Sequence, residues 1–421
     1  MRRHHYLIFF LAVAVVVAGC YDQVLVPGDE SNERTEITND EFVLDQRVSY
    51  PESDVPIGPP AQQQHAAAVG PARAPASVGL TLLAEATPPL VAGNLVQATS
   101  VWLTSDTKAV VGYSFRGLPA LGALDYFIQL DKSTPKLKSS AAFLDADIHS
   151  VTLDGTNVYA SMSSSDVALP APAILERVLL EGSKFTLDGN VRAQLESFVA
   201  TSSVSTGSVI YATSGDAGKI VALDAGDLSL LGEFALADAR WVAWDQLGDR
   251  IVVVQGQPGR LAVFEEGSFP GGSMNLLVTH TFPGADVPES KSTVEVAGGK
   301  AFIAAGPEGV QVMCIDTGSI VGTVPRPDPA SVGLDPSVVV TNSVTVQGDL
   351  MFISNGEAGV YAAAGADSFE TTACDAPQNI SVLGALQFGP LESVNHVVYR
   401  NGYLYIAAGL GGIKVVEVET N

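Results

Sequence analysis

The chain has 421 residues and a formal net charge of −24, with 22 lysines and arginines against 46 aspartates and glutamates. This balance argues against nucleic acid as a partner, because binding a phosphate backbone depends on basic side chains that neutralise it. The 41 glycines, 24 prolines and only 16% charged residues favour strands and turns over helices.

The N-terminus has the three parts of an export signal: a basic start, an apolar run over residues 6–17, and Val-Ala-Gly before Cys20. The run is too short for a spanning helix, which needs about 20 apolar residues. Small residues before a cysteine resemble the lipobox of bacterial lipoproteins. We therefore predict that residues 1–19 are a signal peptide and that Cys20 carries lipid. A plain secretory signal and an uncleaved anchor helix are the alternatives.

Lipid on Cys20, a diacylglycerol plus an amide-linked acyl chain such as palmitate, would hold the protein on a membrane, because several chains together make attachment stable. Tyr21 stands where an aspartate retains lipoproteins on the inner membrane of enteric bacteria. We therefore expect a cell-envelope location and favour the outer membrane, on its periplasmic face or at the cell surface.

Residues 20–77 are predicted to be the lipidated cysteine followed by a disordered tether. The segment is acidic and then rich in proline, alanine and glutamine, with almost no apolar periodicity. A flexible coil of about 56 residues has a root-mean-square reach of roughly 40–45 Å, which would hold a globular body clear of a lipid surface.

Residues 78–421 repeat a unit made of an apolar strand, a G-x-x-G turn and a second strand. A period near 50 residues indicates a propeller or a solenoid, and glycine suits tight turns because they demand positive φ. The leading turn glycines of the five clearest copies are Gly215, Gly256, Gly306, Gly356 and Gly409.

Two degenerate copies, at 109–114 and 158–163, raise the count to seven, and seven polar-apolar strand starts agree with it. We predict an all-β fold: a seven-bladed β-propeller of four-stranded antiparallel blades. Six or eight blades remain possible if the degenerate copies are misread. The blade repeats are placed near residues 95, 147, 198, 238, 291, 342 and 392.

The last repeat ends after its third strand, whereas the segment that begins at Gly79 has the character of an isolated outer strand. We therefore predict that this N-terminal strand completes the C-terminal blade. Such closure removes exposed sheet edges.

The segment Asn-Gly-Tyr-Leu-Tyr-Ile-Ala-Ala-Gly-Leu-Gly-Gly-Ile-Lys-Val-Val-Glu-Val at 401–418 resembles the LVIVD repeat. That resemblance implies a β-propeller displayed at a cell surface, without a catalytic motif to transfer. The hairpins at 222–227 and 314–318 are also somewhat similar to the repeats of quinone-cofactor propellers. Those repeats place a tryptophan after the turn, where this chain has Phe234 and Val324, so no cofactor is predicted.

No motif for a metal or a catalytic residue is found. His65, His149, His280 and His396 have no metal-ligand spacing. Asp145 and Asp147 could approach a calcium ion, but the further oxygen ligands of a loop site are missing. Cys314 and Cys374 could form a disulfide or stay free, since two thiols give no framework.

The propeller geometry itself nominates a candidate site, because first strands converge on the axis and their entry edges form a ring. This ring could bind a small polar ligand or a partner loop; alternatively, its side chains solvate the channel mouth or cap strand ends. Alignment on the glycine turns places there His149, Arg240, Ser292, Asn342 and Asn395, with Thr99 and Ser202 completing the ring and His396 following directly.

The function that needs no missing motif is a non-enzymatic binding or scaffold module for a protein or glycan partner in the envelope. One alternative is an envelope hydrolase, lactonase-like or glycan-cleaving, with an axial metal. Another is a factor in outer-membrane protein assembly. Metal content would separate the first two classes.

Overall fold

The computed structural model describes residues 30–60 and 78–420, except 106, 131, 133, 285–289 and 390–391. These residues form a seven-bladed β-propeller of four-stranded antiparallel blades, which confirms the predicted fold. First strands of consecutive blades contact each other, and the seventh contacts the first, so the ring is closed. No helix within the described ranges is long and apolar enough to span a membrane.

Short elements precede the ring: β1 Glu30–Ser31, β2 Thr35–Thr38, α1 Glu41–Asp45, β3 Val48–Ser49, β4 Ser53–Asp54, β5 Val78–Ala86, β6 Leu90–Val91 and β7 Asn94–Leu95. Blade 1 contains β8 Gln97–Ser105, β9 Lys108–Ser114, β10 Gly122–Ile128 and β11 Lys136–Phe143. Blade 2 contains β12 Ala146–Asp154, β13 Asn157–Ser164, β14 Ala173–Glu181 and β15 Lys184–Gln194. Blade 3 contains β16 Ala200–Ser205, β17 Val209–Ser214, β18 Lys219–Asp224 and β19 Leu230–Ala235.

Blade 4 contains β20 Ala239–Asp245, β21 Arg250–Gln255, β22 Arg260–Glu265 and, after a 3-10 turn at Pro270–Gly272, β23 Leu276–Thr281. Blade 5 contains β24 Val294–Ala297, β25 Lys300–Ala304, β26 Val310–Cys314 and β27 Ile320–Val324, followed by α2 Pro329–Val332. Blade 6 contains β28 Ser343–Gln347, β29 Leu350–Ser354, β30 Val360–Gly365 and β31 Ile380–Leu386. Blade 7 contains β32 His396–Arg400, β33 Tyr403–Ala407, β34 Ile413–Thr420 and the N-terminal strand β5.

Closure of the ring occurs in blade 7, where β34 pairs antiparallel with β5. Ile413 lies opposite Ala86, and Thr420 lies opposite Val78. The predicted completion of the C-terminal blade by the N-terminal strand is therefore confirmed. The ends of the repeat region are held by the same ladder of hydrogen bonds.

Second and third strands are apolar on both faces because each blade is stacked between two neighbours. The run over Ala301–Ala305 is fully buried along its whole length. Alternate side chains of this strand enter two different core clusters, one on each side of blade 5. A sheet with one face in water would alternate apolar and polar residues. These strands are continuously apolar because both of their faces are buried.

The G-x-x-G turns join second to third strands as predicted, but their glycines are required for two different reasons. Gly306 and Gly309 have φ of 57° and 74°, which only glycine adopts readily. Gly215 and Gly256 lack positive φ, so that expectation is wrong for them. At Gly256 the reason is a close approach, since an added Cβ would lie 1.9 Å from Nε of Arg240.

Residues 30–60, called here the N-terminal strap, lie along the outer edges of the ring. β2 pairs with β11 of blade 1, and β3 and β4 pair with β5 of blade 7. Gly58 then bridges to Ala385 of blade 6. The prediction of a tether without secondary structure is therefore wrong for residues 30–60. Short two-residue strands carry no periodicity that could have been recognised. Residues 20–29 and 61–77 of the predicted tether lie outside the described residues, as do 1–19.

Ion pairs fix the strap to the ring. Arg47 donates to both carboxylate oxygens of Asp125, whose side chain is fully buried in blade 1. Arg34 lies 2.7 Å from Asp145 and 3.1 Å from Glu176 of blade 2. Burial raises the pKa of Glu176 to about 7, against the attraction of Arg34 that lowers it.

Candidate functional site

The predicted axial ring exists, with one correction of register. In blades 1 to 4 a β-bulge near the start of the first strand leaves one residue out of the ladder. The left-out residues are Thr99, His149, Thr201 and Arg240. Ser202 was therefore assigned one residue too far, because the bulge that shifts the register has no signature in the sequence. Asn342 and Asn395 directly precede the first strands of blades 6 and 7, and Ser292 lies two residues before that of blade 5.

Side chains of the ring bind the next blade around the axis. Thr99 donates through Oγ1 to the carbonyl oxygen of Ile148 in blade 2, at 2.8 Å. Asn395 donates through Nδ2 to the carbonyl of Ala98 in blade 1, also at 2.8 Å. These bonds staple neighbouring blades together, so the interpretation of the ring as caps of strand ends fits them better than an open ligand site.

The corresponding bonds of Thr201 and Arg240 follow the same pattern. Thr201 donates to the carbonyl of Ala239 in blade 4 at 2.8 Å. Arg240 donates through Nη1 to Oγ of Ser292 in blade 5 at 3.2 Å. Asp238 holds the rest of this guanidinium, with both carboxylate oxygens at 2.9 Å. Four of the seven ring positions thus bond to the next blade, and Asn342 Oδ1 accepts from the backbone N–H of Lys291 in the preceding blade.

His396 occupies a second position, one residue further along the first strand. Its Nδ1 accepts from the backbone N–H of Val101 at 3.4 Å. Ser202 occupies the equivalent position in blade 3, where Oγ accepts from the N–H of Val242 at 2.9 Å. Both predicted site residues therefore link first strands of adjacent blades.

Lys291 crosses the axis, and sequence reasoning missed it. Its ammonium group donates to the carbonyl oxygens of Thr99 at 2.6 Å and His149 at 2.7 Å. It also lies 5.9 Å from the ring centroid of Trp241, within the range of a cation–π contact. A lysine of blade 5 thus joins blades 1, 2 and 4. Its position next to Ser292 was the only signal in the sequence.

Trp241 and His396 close the channel beside this lysine. Trp241 belongs to blade 4 and His396 to blade 7, yet their ring centroids are only 5.3 Å apart with 30° between the planes. Both side chains are buried. The axis is therefore filled by side chains from blades on opposite sides of the ring.

Desolvation in this centre suppresses charge. It lowers the pKa of Lys291 to about 7. Desolvation, assisted by repulsion from Lys291, lowers the pKa of His396 to about 3 and of His149 to about 4. Both imidazoles are consequently neutral near pH 7, and the lysine is poised between two protonation states.

Carboxylates considered for a cation have other partners. Asp145 pairs with Arg34 and lies 3.4 Å from Arg192. Asp147 accepts from the backbone N–H groups of Phe115 and Leu121 at 3.2 Å each. Burial raises the pKa of Asp147 to about 6. Within the described ranges, no group of three histidines, cysteines or carboxylates could hold a metal ion.

The two cysteines of the ring are joined. Cys314 at the end of β26 and Cys374 in the loop after β30 form a disulfide, with Cα atoms 4.9 Å apart and a sequence separation of 60. The bond ties the long loop of blade 6 to blade 5.

The entry face of the ring is the face that carries the loops from second to third strands and from each outer strand to the next blade. Antiparallel alternation places both kinds of loop on one side. Five exposed apolar side chains lie in such loops around blades 7, 1, 2 and 3. This set, called here the apolar arc, has exposed fractions of 67% for Leu90, 42% for Leu95, 88% for Leu118, 99% for Val167 and 71% for Phe198.

The degenerate repeats of blades 1 and 2 supply two of the five residues of this arc. Where blades 3 to 7 make a tight G-x-x-G turn, blades 1 and 2 have the longer loops 115–121 and 165–172. Those loops carry Leu118 and Val167 at their tips. The loss of the glycine turn in the sequence was thus the signal for a specialised surface, which sequence reasoning did not use.

The outer edge of blade 4 is a second distinctive surface. The outer strands of the other six blades accept or donate hydrogen bonds to a further segment, such as the strap or residue Gln378. For β23 no such bond to its main chain is found within the described part of the chain, although the side chain of His280 lies 2.9 Å from the carbonyl oxygen of Ile315 in blade 5. Leu276, Leu277 and Val278 on this strand have exposed fractions of 37%, 50% and 36%.

No family model and no curated protein matches the chain, so the LVIVD resemblance stays a prediction. Among solved structures, a candidate 6-phosphogluconolactonase from Bacteroides uniformis matches with TM-score 0.50 and 12% identity, covering 73% of this chain and 94% of that chain. A chain of the mitotic checkpoint complex matches with TM-score 0.52 and 11% identity, covering 79% and 93%. BamB from Moraxella catarrhalis gives TM-score 0.49 and 10% identity, covering 88% and 97%. Identities this low show a shared propeller fold alone.

Proposed function

We propose that the protein is a lipid-anchored binding module of the cell envelope that acts as a scaffold for a partner protein and performs no catalysis. The observation that carries this proposal is the filled axis. Trp241 contacts His396 across the ring, and the ammonium of Lys291 is bonded to two carbonyl oxygens. A substrate pocket at the centre of the ring has no room there, which leaves binding to the outer surface.

The open edge of blade 4 is the surface that fits a protein better than a glycan. A strand edge offers a row of main-chain donors and acceptors, which an extended segment of another chain can pair with. The protein already adds strands in this way to its own blades, as β2 does on blade 1. Apolar Leu277 and Val278 would then be covered by alternate side chains of the partner strand.

Site-specific photo-crosslinking in intact cells tests this surface. A photoreactive residue replaces Leu277 on the open edge, or Ile320 as a control. Ile320 is 41% exposed on the outer strand of blade 5, where Gln378 bonds to the neighbouring Val321. We expect one discrete crosslinked partner from position 277 and none from 320. Val278→Lys should abolish the crosslink, because a charge at an edge opposes strand addition.

Two results would overturn the proposal. Equal crosslinking at positions 277 and 320 would show that the edge is not a specific surface. Turnover of a lactone or a glycan by the purified protein, lost on replacement of Lys291, would favour the hydrolase instead. The anchor is tested separately, by the mass of the N-terminal peptide and by release of Cys20→Ser protein from the membrane fraction.

A further inference from the structure

We propose that the apolar arc docks on the lipid surface to which the chain is anchored, so that the propeller rests on the bilayer through the entry face of blades 1 and 2. This inference uses the lipid anchor of the proposed function but concerns a different surface from the edge of blade 4. It assigns an interfacial lipid contact to Leu90, Leu95, Leu118, Val167 and Phe198.

The side chains of the arc are exposed. Val167 is 99% and Leu118 is 88% exposed, so these side chains have almost no packing role within the chain. Single exposed apolar residues are normal, but a group in adjacent loops of one face indicates an interaction surface. Transfer of such tips from water into the interface is favourable in proportion to the apolar area removed from water.

The tips of the arc carry no charge. They lie in the segments 88–96, 117–124, 167–175 and 197–205, which contain no charged residue and no histidine. Arg116, Asp166 and Glu196 flank three of these segments. The chain as a whole carries 68 such charges. Uncharged tips can enter a headgroup region without the desolvation cost of ionised side chains.

The opposite face lacks this property. Its loops connect first to second and third to fourth strands, and they include the acidic stretches Asp-Gln-Leu-Gly-Asp at 245–249 and Glu-Glu-Gly at 265–267. The rest of the entry face is also charged, with Asp216 in the turn of blade 3, Glu308 in that of blade 5 and Glu357 in that of blade 6. Within the described residues, the sector from the end of blade 7 to the start of blade 3 is therefore the part of the entry face suited to lipid.

The chain between the proposed anchor and the ring is short. Glu30 is fixed on blade 2, where its Oε2 accepts from the backbone N–H of Leu187 at 2.7 Å. Ten residues separate it from Cys20, and an extended chain spans at most about 3.3–3.6 Å per residue, or roughly 35 Å. The 11 residues of β15 span about the same length. From Leu187 to the entry end of β15 at Gln194 is about 23 Å, so the lead is long enough to let the entry edge of blade 2 rest on the membrane, and it keeps blades 1 and 2 nearest to the anchor.

A fluorescence experiment on the full-length lipidated protein tests the docking. An environment-sensitive probe is placed on Val167→Cys, or on Leu247→Cys as the control. Leu247 is 82% exposed but lies in a loop of the opposite face. Cys314 and Cys374 are bonded to each other, so the introduced thiol labels selectively. The protein is reconstituted in phosphatidylcholine vesicles that carry a nitroxide on the acyl chains.

We expect at least about twofold stronger nitroxide quenching at position 167 than at 247, because an interfacial tip lies among the upper acyl carbons. Leu118→Lys should reduce quenching at 167, whereas Leu118→Ile should preserve it. Protein that floats with the vesicles but shows equal quenching at both positions would overturn the docking and leave the anchor intact. Protein that stays in solution would overturn both.

Labelling in intact cells distinguishes lipid from protein as the occupant. If the thiol at 167 is protected in cells but is not quenched in vesicles, a protein covers the arc and the lipid proposal is wrong. Protection in cells together with quenching in vesicles supports lipid. Crosslinking at Leu277 is unaffected by either result, so failure of this inference is separable from failure of the partner-binding edge.

Discussion

Lys291 of blade 5 and Thr99 of blade 1 meet across the axis of the ring, with Nζ of the lysine 2.6 Å from the carbonyl oxygen of the threonine. Through this bond, a lysine of blade 5 holds blades 1 and 2 at the axis.

Replacement of Lys291 by methionine should remove a pH dependence of stability. Burial lowers the pKa of this amine to about 7 from an ordinary 10.5. Between those values the unfolded chain binds the proton and the folded chain does not, so the wild-type protein gains stability as pH rises, by at most about 1.4 kcal/mol per pH unit. The variant lacks this gain.

Denaturant unfolding at pH 7, 8, 9 and 10 measures that difference, since other titrating groups cancel between the two proteins. The free energy of unfolding of wild type minus that of Lys291→Met should increase steadily with pH. A constant difference would contradict the lowered pKa. Lys291→Arg serves as the control, because its side chain stays charged throughout this range. Its free energy of unfolding should change with pH as that of Lys291→Met does.

Loss of the closing strand should unfold the ring. Deletion of residues 78–90 removes β5, which is the outer strand of blade 7 and buries Leu80 and Leu83. We expect loss of a cooperative thermal transition by circular dichroism. Retention of the wild-type melting curve would show that blade 7 closes in another way.

Removal of Arg47 should be far more costly than removal of an exposed ion pair. Arg47→Ala leaves the buried carboxylate of Asp125 without its partner, and broken buried pairs typically cost about 3–5 kcal/mol. Glu41→Gln breaks the exposed ion pair with Lys138. Exposed ion pairs typically contribute less than about 1 kcal/mol to the free energy of unfolding. Chemical unfolding of both variants provides the comparison, and similar losses would contradict the burial argument.

Two glycines with similar backbone angles should respond differently to alanine. Gly359 has φ of 83°, and an added Cβ would lie 2.0 Å from the carbonyl oxygen of Leu386. Gly348 has φ of 63° with nothing within 4 Å. Gly348→Ala should cost about 1–2 kcal/mol for the left-handed conformation, and Gly359→Ala clearly more. Equal losses in denaturant midpoints would mean that the close approach is relieved without cost.

The sequence was sufficient for the blade count and the closure because both depend on periodicity and on an unmatched strand at each end. It was insufficient for contacts across the axis. Lys291 reaches Thr99 over 192 residues of chain, and only the closed ring brings them together. The error at Ser202 has a local cause, since a single bulged residue shifts the register without changing the apolar pattern.

The strap illustrates a different limit. Its strands are two to four residues long and gain their stability from edges that other parts of the chain provide. Arg34 and Arg47 were two basic residues in an acidic segment, and nothing local indicated that Asp145 and Asp125 would receive them. Segments that fold only against the surface of an already folded domain have little hydrophobic periodicity in their sequence.

The strap also decides how the molecule bears mechanical load. It runs from blade 2 over blade 1 to blades 7 and 6, and so it crosses the joint where the chain closes, with Leu44 buried in the cluster between blades 7 and 1. A pull on the N-terminal end first strains the short pairing of β1 and β2 and the ion pairs of Arg34. Those contacts would have to give way before tension reached β5. The contacts of the strap therefore shield the closing strand β5 from forces transmitted along the chain from the N-terminal end.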